Sequence, residues 1–242
     1  MSRTLFASLV FAAACSSPSH TTTDAPAHDG AGGDGTCGGE DYFTGAIVDW
    51  DSGTAFCGVF QATLTVTATP TNTDSTAPNG RFQLCLPAAA ATRVDIAPPT
   101  AQSQCNLTDG LYQIPGITVA SHDVIASGAT IEYRMIAMDR VTPFFSGLGV
   151  MYDNTKATVF VHVAGASTSK PVISSAAQTG ASALEYDGSA WGSGSAGQDV
   201  VFANTDPSGG TTTVSFSDGT GLGSGTFPVA AGTFTYVTLV GN

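Results

Sequence analysis

The chain has 242 residues, of which 42% are hydrophobic and 11% are charged, and its net charge is -12. Only 7 residues are Lys or Arg, and they are scattered singly, which argues against nucleic acid as a partner because phosphate binding needs a clustered basic footprint. Abundant Gly, Thr, Ser, Ala and Val are typical of short strands joined by small-residue turns. We therefore expect an all-β protein.

The N-terminus has the parts of a secretion signal. Arg3 precedes an apolar run over residues 5–14, which ends at Cys15. This run is shorter than the about 20 residues that span a bilayer, so we predict a cleaved signal peptide over residues 1–14. The stretch Ala12-Ala13-Ala14-Cys15 resembles the lipobox of bacterial lipoproteins, although Ala12 replaces the usual Leu. The alternative is an ordinary signal cut after Ala14, with Cys15 as a spare thiol.

The lipobox resemblance implies that Cys15 is acylated, with palmitate among the acyl chains, and becomes the new N-terminus. Because Ser16 rather than Asp follows, it also implies an outer-membrane destination. Residues 15–41 are predicted to be a flexible linker, since residues 16–35 contain no large apolar side chain. His20 and His28 in this linker fit no metal-ligand spacing. The predicted protein is exported and bound to a lipid bilayer through Cys15.

Four further cysteines, Cys37, Cys57, Cys85 and Cys105, lie in the first half of the chain. An even number in an exported chain predicts two disulfides, because the export compartment is oxidising. Three pairings are possible. We favour Cys57 with Cys85 and Cys37 with Cys105, because antiparallel neighbours would bring the start of one predicted strand beside the end of the next. The alternative is a zinc site, but the chain has no C-x-x-C pair.

Short alternating strands are predicted over residues 43–50, 62–68, 81–87 and 92–98. Leu64 and Val66 alternate with threonines in the second of these, so one face of that strand is expected to be buried. Asn79 and Gly80 are predicted to supply the positive-φ pair of a tight turn.

Within these strands, residues 45–49 (GAIVD), 62–66 and 78–84 (PNGRFQL) together resemble a carboxypeptidase regulatory-like domain. That family has a prealbumin-like β-sandwich fold. The resemblance covers about residues 43–105, and we assign the module to residues 42–107. It implies a non-catalytic accessory or adhesive module rather than a peptidase, with an elaborated first turn after Trp50.

The rest of the chain is predicted to hold a connector and a second module. Residues 108–157 contain a strand over 128–138 and a short helix over 139–149, with Pro143 in its first turn and Gly149 at its end. We expect Phe144, Phe145 and Leu148 to pack against one sandwich. Residues 158–242 are predicted to be a second β-sandwich, with strands over 158–163, 200–204, 211–216 and 228–239. The predicted architecture is thus two prealbumin-like or Ig-like sandwiches with one short inserted helix.

No catalytic residue set is found in the sequence. None of the four histidines has the Glu at a spacing of three that a zinc carboxypeptidase needs. The iron dioxygenases that share the prealbumin-like fold would require paired His and paired Tyr ligands, and only His122 and His162 lie in the predicted folded part. Residues 192–197 miss the G-x-S-x-G spacing of a serine nucleophile. We predict no enzyme activity, no metal and no cofactor.

Acidic residues flank aromatic ones at Asp49-Trp50-Asp51 and at Glu185-Tyr186-Asp187, with Trp191 close by. Rings of this kind stack on sugars, and carboxylates hold hydroxyls or Ca²⁺, so Trp50, Trp191 and Tyr186 are candidate ligand-binding residues. The alternative is that these rings cover the rim of a core.

Three functions follow from these observations. The first is a non-catalytic surface lipoprotein for adhesion or scaffolding, whose partner is a surface protein or a polysaccharide. The second is a carbohydrate- or calcium-binding module. The third is an enzyme of unrecognised type, which would need a pocket of converging titratable groups.

Overall fold

A computed structural model describes part of the chain in detail. The described residues are 37, 40–50, 57–87, 91–102, 105, 109–129, 131–147, 149–165, 172–175, 183–186, 191–217 and 222–241. The predicted signal peptide, Cys15 and most of the predicted linker therefore lie outside the described residues.

The described part of the chain is mostly β-structure with two short helices, α1 (His122–Ala126) and α2 (Met138–Gly147). This confirms the all-β prediction at the level of fold class. The strands are β1 (Asp41–Asp49), β2 (Thr63–Val66), β3 (Thr73–Ser75), β4 (Arg81–Leu86), β5 (Thr92–Ala97), β6 (Gly116–Ala120), β7 (Glu132–Met135), β8 (Ala157–Ala164), β9 (Val172–Ser175), β10 (Ala183–Tyr186), β11 (Trp191–Ser193), β12 (Asp199–Thr205), β13 (Thr211–Ser217), β14 (Leu222–Pro228) and β15 (Phe234–Val240).

These strands form three sheets. A nine-stranded sheet has the order β11-β10-β12-β8-β15-β6-β5-β2-β3, and two three-stranded sheets have the orders β4-β1-β7 and β14-β13-β9. Alternating burial along β4 and β5 is what the period-two pattern of the sequence predicts, because successive strand residues point to opposite faces.

The β4-β1-β7 sheet packs on one face of the nine-stranded sheet. Phe43 and Ile47 of β1 and Leu64 of β2 are fully buried in the core between them. Strands β6 and β7 both come from the predicted connector, residues 108–157. The connector is therefore structurally part of this sandwich, since β7 pairs with β1 and β6 pairs with β5.

The two predicted modules share the nine-stranded sheet. β15 pairs in parallel with β6 on one side and with β8 on the other. Six of its seven residues are buried, as expected for a strand that is covered on both faces and flanked by two neighbours. The structure therefore differs from the expectation of two separate sandwiches, because β15 joins a strand of the first half, β6, to a strand of the second half, β8.

The two faces of the nine-stranded sheet contribute to two cores. On β8, Phe160 belongs to the core under β4-β1-β7. Val159, Val161 and Val163 point the other way, into a core covered by Val214 and other residues of the β14-β13-β9 sheet. β8 thus contributes apolar side chains to both cores.

Helix α2 lies close to its predicted position of 139–149. Pro143 is inside the helix rather than in its first turn, where it removes the amide that would donate to the Asp139 carbonyl. Phe145 is fully buried and Phe144 packs against the first core, as expected, while Leu148 lies outside the described residues. The shorter helix α1, with Ser121 Oγ accepting from the Val124 amide, was not predicted.

The four cysteines form two disulfides, as predicted, but the predicted pairing is wrong. Cys37 is bonded to Cys85 and Cys57 is bonded to Cys105. The reason is the register of β1 on β4: Tyr42 is opposite Cys85, so Cys85 lies at the end of β1 near Cys37. Cys57 lies at the other end of β1, where its carbonyl accepts from the Asp49 amide.

Gly80 is required by the turn that leads into β4. Of the predicted pair Asn79 and Gly80, only Gly80 has a positive φ, of 77°. A Cβ at position 80 would lie 2.2 Å from the Ile47 carbonyl oxygen. Backbone strain at such a position costs about 1–3 kcal/mol. We expect Gly80→Ala to lower the free energy of unfolding by more than this, because the clash adds to the strain.

Urea unfolding measures this effect, and Gly210→Ala is the matched control. Gly210 has a similar φ of 68°, but its Cβ would meet nothing within 4 Å. The control is expected to lose clearly less stability than Gly80→Ala. Equal losses at the two positions would show that backbone strain alone, and not the contact with Ile47, requires the glycine.

Candidate functional site

A narrow cleft lies between β7 and the nine-stranded sheet. Asp199 of β12, His162 of β8 and Thr238 of β15 are register partners on adjacent strands, so their side chains point to one face of the sheet. Other residues that line the cleft include the charged side chains of Glu132 and Arg134 and the aromatic rings of Tyr133, Phe160, Trp191 and Tyr236. The cleft has a volume of about 30 Å³, which is room for about one water molecule.

One ion pair and one hydrogen bond between a histidine and a carboxylate line this cleft. His162 Nδ1 lies 2.9 Å from Asp199 Oδ1, and Arg134 Nη2 lies 3.0 Å from Glu132 Oε1. All four side chains are about one-third exposed. The site therefore offers hydrogen-bond donors and acceptors with little net charge, which suits a neutral polar group better than a free cation or anion.

The His162 and Asp199 pair has the geometry of a general base held by a carboxylate. Within the described part of the chain, the side-chain hydrogen bonds of the pair extend no further than Asp199. No hydroxyl or thiol of the described residues donates to the other ring nitrogen of His162. What the pair does in this arrangement is fix the orientation of the imidazole ring at the cleft.

Trp50 is a core residue. It is 7% exposed, and its ring centroid lies 4.3 Å from that of Phe144 and 4.5 Å from that of Phe160. This position fits the alternative considered for Trp50, that its ring covers a core, because α2 and β8 pack over it. Its Nε1 has no hydrogen-bond partner within the described part of the molecule.

Trp191 and Tyr186 remain at the surface, each half-buried. Trp191 lines the cleft, and its ring lies 5.3 Å from the Tyr186 ring at an interplanar angle of 41°. Trp50 and Trp191 meet edge to face at 82°. The three candidate aromatic residues thus lie in one cluster, but their rings are not coplanar.

The carboxylates predicted beside these rings are engaged in the fold. Glu185 Oε2 accepts from the Ala196 amide at 2.8 Å, and Asp49 is buried in a polar network described below. Asp51 and Asp187 lie outside the described residues. In the part of the chain that the structure describes, no group of three or more His, Cys, Asp and Glu side chains comes together to hold a metal ion.

The Asp49 network was not predicted from the sequence. The Asp49 side chain is fully buried and accepts from the Tyr112 hydroxyl at 2.6 Å and from the Arg140 guanidinium. Arg140 also lies 3.5 Å from Asp109. The network joins the end of β1 to the first turns of α2. Its one sequence signal is a charged residue, Arg140, on a helix otherwise rich in apolar side chains.

A wider groove runs beside α2, with a volume of about 580 Å³. Met138, Val141 and Tyr152 form its apolar part. Asn204, which has a φ of 56°, accepts from the Asp153 amide and donates to the Met151 carbonyl. The polar groups of this groove therefore hold the loop between α2 and β8.

His122 and His162 are not brought together. His122 Nδ1 lies 2.8 Å from Asp41 Oδ2, whereas His162 pairs with Asp199. This pairing does not provide the shared site of two His and two Tyr that an iron dioxygenase would need.

Asp41 raises the pKa of His122 above the ordinary value of 6.5, first through the hydrogen bond and then through its charge. The raised pKa means that the stabilising contact is fully present below about pH 6.5 and is lost as the pH rises through the folded-state value. We expect Asp41→Asn to move the His122 pKa back towards 6.5, as measured by NMR titration of the imidazole protons. An unchanged pKa in this variant would contradict the assignment of Asp41 as the cause.

The chain matches no protein-family model and no curated protein. Among the residues described, no helix is long and apolar enough to span a membrane. The two disulfides indicate an extracytoplasmic protein, since such bonds persist in oxidising compartments.

Proposed function

We propose that this chain is a non-catalytic lipoprotein whose β-structured body is held at a membrane surface, where it serves adhesion or scaffolding. The observation that carries this proposal is the position of the Cys37 and Cys85 disulfide. It lies where the predicted linker enters β1, so the attachment to the membrane would begin at a covalently fixed point of the fold.

The mechanical consequence follows from the sheet order. β1 lies between β4 and β7, and its N-terminal end would receive any force that acts along the linker. A strand loaded at its end can separate from its neighbour one hydrogen bond at a time. The bond from Cys37 to Cys85 on β4 prevents this, because the force passes to β4 before it reaches the first backbone hydrogen bond of β1.

We also propose that residues 42–107 are a carboxypeptidase regulatory-like module. Support comes from the distribution of its strands over two packed sheets, with β1 and β4 in one and β2, β3 and β5 in the other. The positive φ of Gly80 at the turn within the PNGRFQL segment adds to this support. A module of this kind would contribute a rigid surface and no catalytic residue.

The lipid anchor is tested by labelling the exporting cells with radioactive palmitate. The wild-type chain is expected to carry the label and to partition into the detergent phase, and Cys15→Ala is expected to lose both properties. Ser16→Asp is the matched control, because it keeps Cys15 and is expected to keep the label while changing the membrane in which the protein resides. An unlabelled wild-type chain would contradict the proposal and favour a soluble exported protein.

A second candidate function, carbohydrate binding, is supported by one observation. Trp191 keeps a half-buried ring beside a cleft lined by the Glu132–Arg134 and His162–Asp199 pairs. The cleft is too small for a sugar, so the sugar would stack on the ring and reach the fixed polar groups with a hydroxyl. Polysaccharide fragments added to the protein are expected to shift the Trp191 indole NMR signal and not that of buried Trp50. Shifts at neither indole would contradict this function.

A further inference from the structure

The sheets described here end in six edge strands, and most of these edges are short or blocked. An unprotected edge is a site for pairing with another strand, so proteins keep edges short, charged or covered. β3 and β11 have three residues each. On the outer edge of β4, Asp74 accepts from the Gln83 amide at 2.7 Å and Asn72 donates to the Cys85 carbonyl at 2.6 Å.

The edges of β7 and β9 are also blocked. β7 has four residues, two of them charged, and the Tyr236 hydroxyl donates to the carbonyl of Arg134. β9 has four residues, and its Ile173 amide donates to the Ser195 carbonyl at 2.8 Å. Five of the six edges are thus unsuited to pairing with a further strand.

β14 is the exception. It spans seven residues, Leu222–Pro228, without a charge, and none of the described elements pairs with its outer edge. Ser224 and Thr226 are exposed. The Pro228 carbonyl accepts from the Thr235 hydroxyl at 2.8 Å, so the C-terminal end of this edge is engaged. The edge from Leu222 to Thr226 is uncharged and pairs with no described strand.

The backbone groups that point outward can be assigned from the ladder. The Val229 amide donates to the Gly210 carbonyl at 3.0 Å, and hydrogen-bonded and non-hydrogen-bonded pairs alternate in an antiparallel ladder. The amides and carbonyls of Gly225 and Phe227 therefore face β13. Those of Ser224 and Thr226 face outward, away from the sheet.

We propose that this edge of β14 pairs antiparallel with β14 of a second copy of the chain. With Gly225 at the twofold axis, Ser224 lies opposite Thr226 of the second copy, and the outward amides and carbonyls of the two residues exchange hydrogen bonds. The β14-β13-β9 sheets of the two copies then become one sheet of six strands. An isologous contact of this kind closes on itself and gives a dimer.

Charge confines any contact with a second copy to an uncharged part of the surface. The chain has a net charge of -12, so most of its surface repels another copy. β14 has no charge, and an identical strand meets no repulsion along it. The hydroxyl pairs on the solvent face, Ser174 with Ser215 at 2.9 Å and Thr213 with Thr226 at 3.5 Å, would continue across the dimer through Ser224 and Thr226.

The test is sedimentation equilibrium of the purified mature chain and two lysine variants. Thr226→Lys places a charge on the proposed interface strand and is expected to raise the dimer dissociation constant at least about tenfold. Thr213→Lys is the matched control, because Thr213 is exposed on the same face and directly opposite Thr226, but on β13. It is expected to leave the dissociation constant within about threefold, since its charge lies one strand further from the interface.

Amide exchange tests the register. The amides of Ser224 and Thr226 are expected to become protected as the concentration rises into the dimer range, while the Gly225 amide, which faces β13, is protected throughout. Thr226→Pro removes one of the exchanging amides and is expected to abolish dimerisation; if it also unfolds the protein, Thr226→Lys provides the test.

Several results would overturn the proposal. These are a wild-type chain that stays monomeric at the highest soluble concentration, an equal loss of dimer in Thr213→Lys and Thr226→Lys, or a dimer that survives Thr226→Lys. Protection of Ser224 and Thr226 only in the presence of a different protein would also overturn it, because the occupant would then be a foreign strand. None of these results depends on the lipid anchor.

Discussion

Replacing Arg140 with Met is expected to lower the free energy of unfolding by about 3–5 kcal/mol, the usual cost of leaving one member of a buried ion pair without its partner. The Asp49 carboxylate is fully buried, while the Arg140 side chain is 14% exposed. The variant keeps an apolar side chain of similar length on α2, so the loss reports the removed guanidinium rather than an empty space. Urea unfolding followed by circular dichroism measures it.

Arg93→Met is the matched control for this variant. Arg93 also forms an ion pair, with Asp95 at 2.8 Å, but both side chains are more than 40% exposed. Exposed pairs contribute about 0–1 kcal/mol, so this control is expected to change stability little. In the double variant Asp49→Leu, Arg140→Met, both charges are gone, and much of the lost stability is expected to return. Equal effects of Arg140→Met and Arg93→Met would contradict the burial of the Asp49 pair.

Removing either disulfide is expected to cost about 4 kcal/mol on the chain-entropy model, which relates the cost to the length of the closed loop. Cys37 and Cys85 are 48 residues apart, and so are Cys57 and Cys105. The variants Cys37→Ala with Cys85→Ala and Cys57→Ala with Cys105→Ala should therefore lose similar amounts from this source. A difference between the two losses would measure how differently the two bonds affect the free energy of the native state.

Cys15→Ala is the control for the disulfide variants, because it removes a cysteine and leaves both bonds intact; it is expected to have no effect on unfolding. The connectivity itself is checked by mass spectrometry of peptides from the unreduced protein. A peptide that links Cys57 to Cys85 would contradict the structure and support the pairing favoured from the sequence.

The two largest expected effects concern opposite ends of β1. Cys37 holds the N-terminal end to β4, and Asp49 holds the C-terminal end to α2 through Arg140. β1 is thus stabilised at both ends, and it is also the strand through which the proposed membrane attachment would enter the fold. The β14 edge lies in a different sheet from β1, whereas the Trp191 cleft is lined in part by β7, the neighbour of β1.

Local features of the chain were predictable from its sequence alone. The alternation of Phe82, Leu84 and Leu86 with polar neighbours determined which face of β4 is buried, because side-chain direction in a strand depends only on the backbone period. The approximate position of helix α2 was also predictable, although Pro143 lies inside the helix and not in its first turn. That four cysteines form two bonds followed from their even number in an exported chain.

Only the tertiary structure decided which of these elements are neighbours. The Thr118 hydroxyl donates to the Tyr236 carbonyl, 118 residues away, and this contact between β6 and β15 joins two halves that appear separate in the sequence. Other long-range contacts bury Trp50 under Phe144 and Phe160 and bring Asp49 to Arg140, and the pairing of β1 with β4 determines the partner of Cys85. The physical reason is that a strand's sequence specifies its faces, whereas its edges pair through backbone groups that are the same in nearly every residue.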